Sequence, residues 1–174
     1  MKYNVRVMGM DVGLLTVTEQ VRGEDLIIEA ITEVRVKIIF TYRVKYIQKS
    51  TYHRGELLKS SLLTYKKDKL NSSTYLIRNG DGYNMIKDGD STFIPRPITY
   101  SGSLLYFHEP TDINDLYYEI NGMKRPIKRM PSHTYQVTDP ENGRESTFVY
   151  TDGILQTSSI EHGIATIYTE LMTD

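Results

Sequence analysis

Apolar residues recur at every second position along most of this chain, most clearly over 34–46, VRVKIIFTYRVKY. Val34, Val36, Ile38, Phe40, Tyr42, Val44 and Tyr46 share one parity, while Arg35, Lys37, Thr41, Arg43 and Lys45 share the other; only Ile39 breaks the pattern. A strand sends successive side chains to opposite faces, so this period of two predicts one apolar and one wet face. Turn signals interrupt the pattern every ~8–12 residues, the spacing of an all-β sandwich or barrel. They include Arg54-Gly55, Asn79-Gly80-Asp81-Gly82, Asp88-Gly89, Asn121-Gly122, Asn142-Gly143 and Asp152-Gly153, pairs that tolerate the positive φ of a tight hairpin.

Strands are expected near 2–10, 13–22, 25–37, 40–53, 56–67, 71–79, 82–87, 115–121, 123–129, 132–139, 145–151, 154–161 and 164–171. The stretch 25–53 reads either as one long bent strand or as two strands reversing near 38–41. Connections this short exclude parallel crossovers, so the strands should form an antiparallel meander. The fold expected is all-β, one domain over 1–174, curled into a barrel or half-barrel.

The rhythm changes in FIPRPITYSGSLLYFHEP, Phe93–Pro110. Pro95 and Pro97 lack the N–H that a central ladder needs, so a strand must stop there. Beyond them, Thr99 or Ser101 can cap a short helix near 99–107, which Pro110 prevents from continuing. Ile98, Leu105 and Tyr106 would then face inward, and the segment would cover an open end or edge of the sheet.

Composition supports the β reading. Val, Ile, Thr and Tyr make up about a third of the 174 residues, the types that suit a pleated surface. Lys and Arg number 21 against 22 acidic residues, leaving no basic excess to neutralise phosphates, so nucleic acid is not the expected partner. No window approaches a membrane-spanning run of about 18 apolar residues. Cysteine is absent, which removes disulfides, thiolate metal sites and a cysteine nucleophile.

Little in the chain points to catalysis. His53, His108, His133 and His162 are far apart, without metal-ligand spacing, so neither a metal nor a cofactor is expected. His108-Glu109 has the composition of an acid–base pair, but nothing nearby supplies a nucleophile elbow; a solvated helix end is the simpler reading. Ser60, Ser61, Ser72 and Ser73 read as outward polar positions, and the basic run MKRPIKRM, 123–130, as a solvated hairpin. Tyrosine is abundant, 14 copies against four Phe and no Trp. Its apolar body and polar tip suit both sheet rims and ligand cavities.

The order of segments resembles an uncharacterised family of small exported β-rich proteins of Bacteroidota, a domain of unknown function. The matching pieces are YNVRVMGMDVGLLTVT, EVRVKIIFTYRVKYIQKSTYHRGELLKSS, RPITYSGSLLYFHEPTDINDLYYEINGMKRPIKR, HTYQVTDPENGRESTFVY and DGILQTSSIEHGIATIY. The resemblance implies a periplasmic or secreted protein, with a signal peptide removed ahead of Met1, and carries no catalytic residues to transfer. Two readings follow. One is a non-enzymatic envelope protein that binds an apolar, lipid-like molecule on the inner face of the curled sheet, with Phe40, Tyr42, Tyr100, Leu105 and Phe107 as candidate ligand-binding residues. The other is a solidly packed module that binds another envelope protein.

Overall fold

The computed structural model describes residues 1–37, 41–163 and 165–173. The strands are β1 (Lys2–Val7), β2 (Met10–Arg22), β3 (Asp25–Lys37), β4 (Thr41–His53), β5 (Glu56–Lys66), β6 (Lys69–Asn79), β7 (Gly82–Lys87) and β8 (Asp90–Ile94). After a connection holding a 3-10 helix, Gly102–Tyr106, come β9 (Asp115–Tyr118), β10 (Met123–Met130), β11 (Thr134–Thr138), β12 (Glu145–Thr151), β13 (Ile154–His162) and β14 (Ala165–Leu171). All pair antiparallel in one 14-stranded sheet, ordered β8-β7-β6-β5-β4-β3-β2-β1-β14-β13-β12-β11-β10-β9.

This order defines the chain path. The N-terminal strand lies mid-sheet, and seven hairpins lead outward to the edge at β8. The segment 95–114 then crosses to the opposite edge at β9, and five hairpins lead back until β14 pairs with β1, Tyr3 opposite Leu171. The hairpins are tight because the turn residues accept left-handed backbone: Asp88 and Gly89 have φ 51° and 99°, and Asp152 and Gly153 φ 51° and 78°.

The antiparallel meander stands, and the barrel does not close: β8 and β9 are two separate edges. The stretch 25–53 is two strands, with Val34 opposite Val44 and Lys37 opposite Thr41; residues 38–40 lie outside the described residues. One strand escaped the sequence reading. Asp90–Ile94 pairs with β7, Phe93 opposite Asn84, and as a short, largely exposed edge strand it lacks the apolar alternation that a half-buried strand shows.

The sheet curls around the crossing segment. Ile98, Leu104 and Leu105 are buried on its concave face together with Tyr3, Val5, Ile28, Tyr52, Leu57 and Tyr150, residues drawn from both arms of the sheet. Across the concave side, Thr74 Oγ1 of β6 donates to the Ile120 carbonyl at 3.4 Å, which brings one arm against the turn after β9. Register shifts at Val5/Arg6, Thr51/Tyr52, Thr64/Tyr65 and Val149/Tyr150 add local bends. The shift beside Tyr52 breaks the alternation, so that Ser50, Thr51 and Tyr52 are all buried.

Candidate functional site

The crossing segment is held down by tyrosine hydroxyls, which explains why inward positions carry Tyr where Phe would supply the same apolar bulk. At its start, Tyr83, Leu57 and Ile98 form a closed loop of bonds. The Tyr83 hydroxyl donates to the Leu57 carbonyl at 2.7 Å and accepts from the Ile98 amide at 3.2 Å, while the Leu57 amide donates to the Ile98 carbonyl at 2.8 Å. Farther on, Tyr150 donates to the Leu105 carbonyl at 2.8 Å and Tyr100 to the His108 carbonyl. A buried polar atom left unpaired is costly, and these phenols pair the irregular backbone that no ladder satisfies.

Midway sits a buried polar knot. Ser101 precedes the 3-10 helix, but its hydroxyl does not cap it. Instead Ser101 Oγ donates to Glu119 Oε1 and shares a hydrogen bond with the Tyr52 hydroxyl. Ser103 Oγ lies 2.9 Å from the same hydroxyl, and the Ser103 amide reaches Glu119 Oε1 at 3.4 Å. Glu119 is 3% exposed. Burial pushes its carboxyl above the usual range, against the opposing pull of the hydrogen bonds from Ser101 and Ser103. Gly102 fits beside it, since a Cβ there would stand 3.1 Å from Glu119 Oε2.

Beyond the knot, the 3-10 helix roofs a cavity of about 260 Å³. Leu105 and Tyr106 form the roof, while Leu15, Val34, Leu155 and Ile167 stand among the walls contributed by the concave face. The cavity is mostly apolar, with Glu119 at its wall. Tyr106 packs on Tyr3, ring centroids 6.0 Å apart.

Past the cavity, ionic contacts tie the segment to the rim. His108 Nε2 pairs with Glu19 Oε2 of β2 at 2.6 Å. Glu109 Oε1 accepts from Tyr135 at 2.7 Å and pairs with His133 Nδ1 at 2.9 Å. Desolvation raises the Glu109 carboxyl, but the bonds from Tyr135 and His133 outweigh it and hold the group below its usual range. The Tyr135 phenol is pushed up to about 12 by burial and by Glu109.

Of the three candidate ligand-binding residues whose side chains are described, Leu105 is brought to the cavity. Tyr100 and Phe107 pack against the core beside the segment, their side chains used to anchor it. Phe40 lies outside the described residues, as does the side chain of Tyr42. The alternating strand still contributes, through Val34 and Tyr46. Three further expectations are corrected. The solvated helix end expected at His108-Glu109 holds for the exposed His108 but not for Glu109, whose side chain is 8% exposed; each pairs with a partner elsewhere, Glu19 and His133. Ser60 points inward, 4% exposed and 3.0 Å from Ser50 Oγ. Within the basic run, Arg125 is not solvated: it pairs with Asp139 at 2.6 Å and lies 4.0 Å from the centre of the Tyr118 ring.

Glu119 was missed, yet the sequence held a signal. It is a lone acid in the apolar run Leu116-Tyr117-Tyr118-Glu119-Ile120, where a solvated face would carry more polar residues. No group of three or more His, Asp or Glu able to hold a metal ion occurs among the described residues, and no helix among them is long and apolar enough to cross a membrane.

Neither the curated proteins nor the solved structures contain a match to this chain. One family model does match, over residues 3–172, nearly the whole sheet and the crossing segment included. The chain thus belongs to the family described as domain of unknown function DUF6134.

Proposed function

We propose that this is a non-catalytic binding protein that holds a small apolar molecule between the 3-10 helix and the concave face. The observation that carries the reading is the cavity of about 260 Å³ under Leu105 and Tyr106. It is lined mainly by apolar groups and lies just under the roughly 300–1,000 Å³ usual for ligand pockets. The crossing segment serves as its roof. Its start is fixed by buried hydrogen bonds, its middle by the bond from Tyr150 to the Leu105 carbonyl, and its far end by the contacts of Glu109 with Tyr135 and His133. A site of action in the cell envelope or outside the cell goes with this reading, drawn from the resemblance of the segment order to a family of exported proteins; fractionation of the native host's cells tests it.

N-phenyl-1-naphthylamine, an apolar probe that brightens out of water, tests the binding. The native chain should take up about one probe per molecule, displaced by hexan-1-ol. Leu105→Ala should cost about 2–3 kcal/mol, the low end for a buried leucine because the side chain already borders a gap, and should change probe affinity several-fold. A chain that takes up no probe in either form would refute the reading.

A second reading, an envelope interaction module, draws on the outer surface of β6–β8. Tyr75, Ile77, Ile86 and Phe93 are 40%, 57%, 42% and 53% exposed, and neighbouring strands bring them together beside the free edge.

A further inference from the structure

One wall of the cavity is out of keeping with the rest. Among the described residues Glu119 is the sole carboxylic acid or base that lines it, and Tyr46, Tyr106, Tyr118 and Phe148 line it as well. The ion pairs of the described residues give Glu119 no basic partner, and Arg125, against the Tyr118 ring, is committed to Asp139. The groups that face Glu119 are phenols and hydroxyls: Tyr52, Tyr106, Tyr117, Tyr118, Ser101 and Ser103. Burial raises the pKa of each of those four phenols, so at neutral pH they carry no charge.

We propose that the cavity takes an apolar primary amine, its ammonium against the Glu119 carboxylate and the surrounding rings, its hydrocarbon along Leu15, Val34, Leu155 and Ile167. This rests on the binding reading above and names the ligand's chemical class. A buried carboxylate without a counter-ion is expensive, and a ligand that brings the missing positive charge relieves that cost. The rings add to the preference, because an ammonium is drawn to the face of an aromatic ring. An alcohol would gain only a hydrogen bond, and a fatty acid would set a second carboxylate beside the first. Where Glu119 is protonated in the empty protein, its proton leaves to bulk solvent as the ammonium binds.

Calorimetric titration of the intact chain with hexylamine, hexan-1-ol and hexanoate tests this. Hexylamine should bind at least ~10-fold more tightly than hexan-1-ol, about 1.4 kcal/mol, and hexanoate should bind most weakly. E119Q should bring hexylamine down to the level of the alcohol. Equal affinity for amine and alcohol in the native chain, or an amine preference that survives E119Q, would overturn the proposal. If E119Q fails to fold, the order of the three ligands on the native chain decides alone. Hexanol binding without an amine preference sinks this inference only; no binding of any of the three sinks the binding reading with it.

Discussion

Two carboxyl groups anchor the crossing segment, and they behave in opposite ways. Glu119 grips its first half through Ser101 and Ser103, Glu109 secures its far end through Tyr135 and His133. Each accepts a hydroxyl hydrogen bond. Glu119, however, is buried against hydroxyls and phenols, and its carboxyl is driven towards the neutral form. Glu109 has an imidazole beside it, and its carboxyl is held in the charged form. The difference teaches that a carboxyl's state is a balance: at Glu109 the Tyr135 hydrogen bond, joined by the His133 bond and charge, outweighs desolvation, whereas at Glu119 burial outweighs the bonds from Ser101 and Ser103. The two ends of the segment therefore differ in character, one a buried knot of hydroxyls and the other a tie that ends on the exposed imidazole of His133.

The largest effect should come from cutting the knot. Glu119→Ala leaves the Ser101 hydroxyl and the Ser103 amide without their acceptor in a buried place, and should cost about 3 kcal/mol. Glu109→Ala loses an ion pair with the exposed His133 and leaves the hydroxyl of the buried Tyr135 without its acceptor, and should cost about 1–2 kcal/mol. Urea denaturation of both variants measures the difference. Equal losses would mean that the two ends are alike.

A smaller effect should follow from a single oxygen. Tyr83→Phe keeps the ring in place but strips the hydroxyl that joins the Leu57 carbonyl to the Ile98 amide. The expected cost is about 1–2 kcal/mol, since both partners are buried and retain only the bond between the Leu57 amide and the Ile98 carbonyl nearby. Hydrogen exchange should then show the Ile98 amide opening faster while amides around Glu109 are unchanged. Faster exchange along the whole segment would mean that its two ends are fastened as one unit.

The sheet was legible in the sequence because alternation and glycine turns are local signals. The period of two in Val34–Val44 and the Asp-Gly pairs at 88–89 and 152–153 needed no knowledge of partners. The short edge strand Asp90–Ile94 was not legible, since an exposed strand has no need to alternate. The cavity was legible through Leu105 and Tyr106 and through the apolar parity of Val34 and Tyr46. Its other walls come from strands far apart in the chain, and Tyr46, Glu119 and Phe148 meet only after the sheet curls. Tyr100 and Phe107 carried the apolar bulk expected of ligand contacts, but whether such a ring faces a gap or a neighbour depends on register shifts that no turn signal announces.

The smallest effect, and the sharpest in sign, is the dependence of stability on pH. An unfolded glutamate titrates near pKa ~4.3. The folded Glu109 carboxyl lies below its ordinary value, so its contribution is fully present above about pH 4.3 and is lost as pH falls through the folded value. The folded Glu119 carboxyl lies above its ordinary value, so its contribution is present below about pH 4.3 and is lost as pH rises through the folded value. The two groups thus shape opposite limbs of one stability curve. Urea midpoints measured from acid to neutral pH on the native chain, E109Q and E119Q separate them, because every other carboxyl cancels in the differences. E109Q should differ from the native chain with a slope confined to the acid limb, where the native chain loses the Glu109 term. E119Q should gain on the native chain as pH rises above that limb, because the amide never has to ionise in a buried place. If E119Q tracked the native chain at every pH, Glu119 would be titrating as an ordinary solvated carboxyl, and the contrast between the two anchors would vanish.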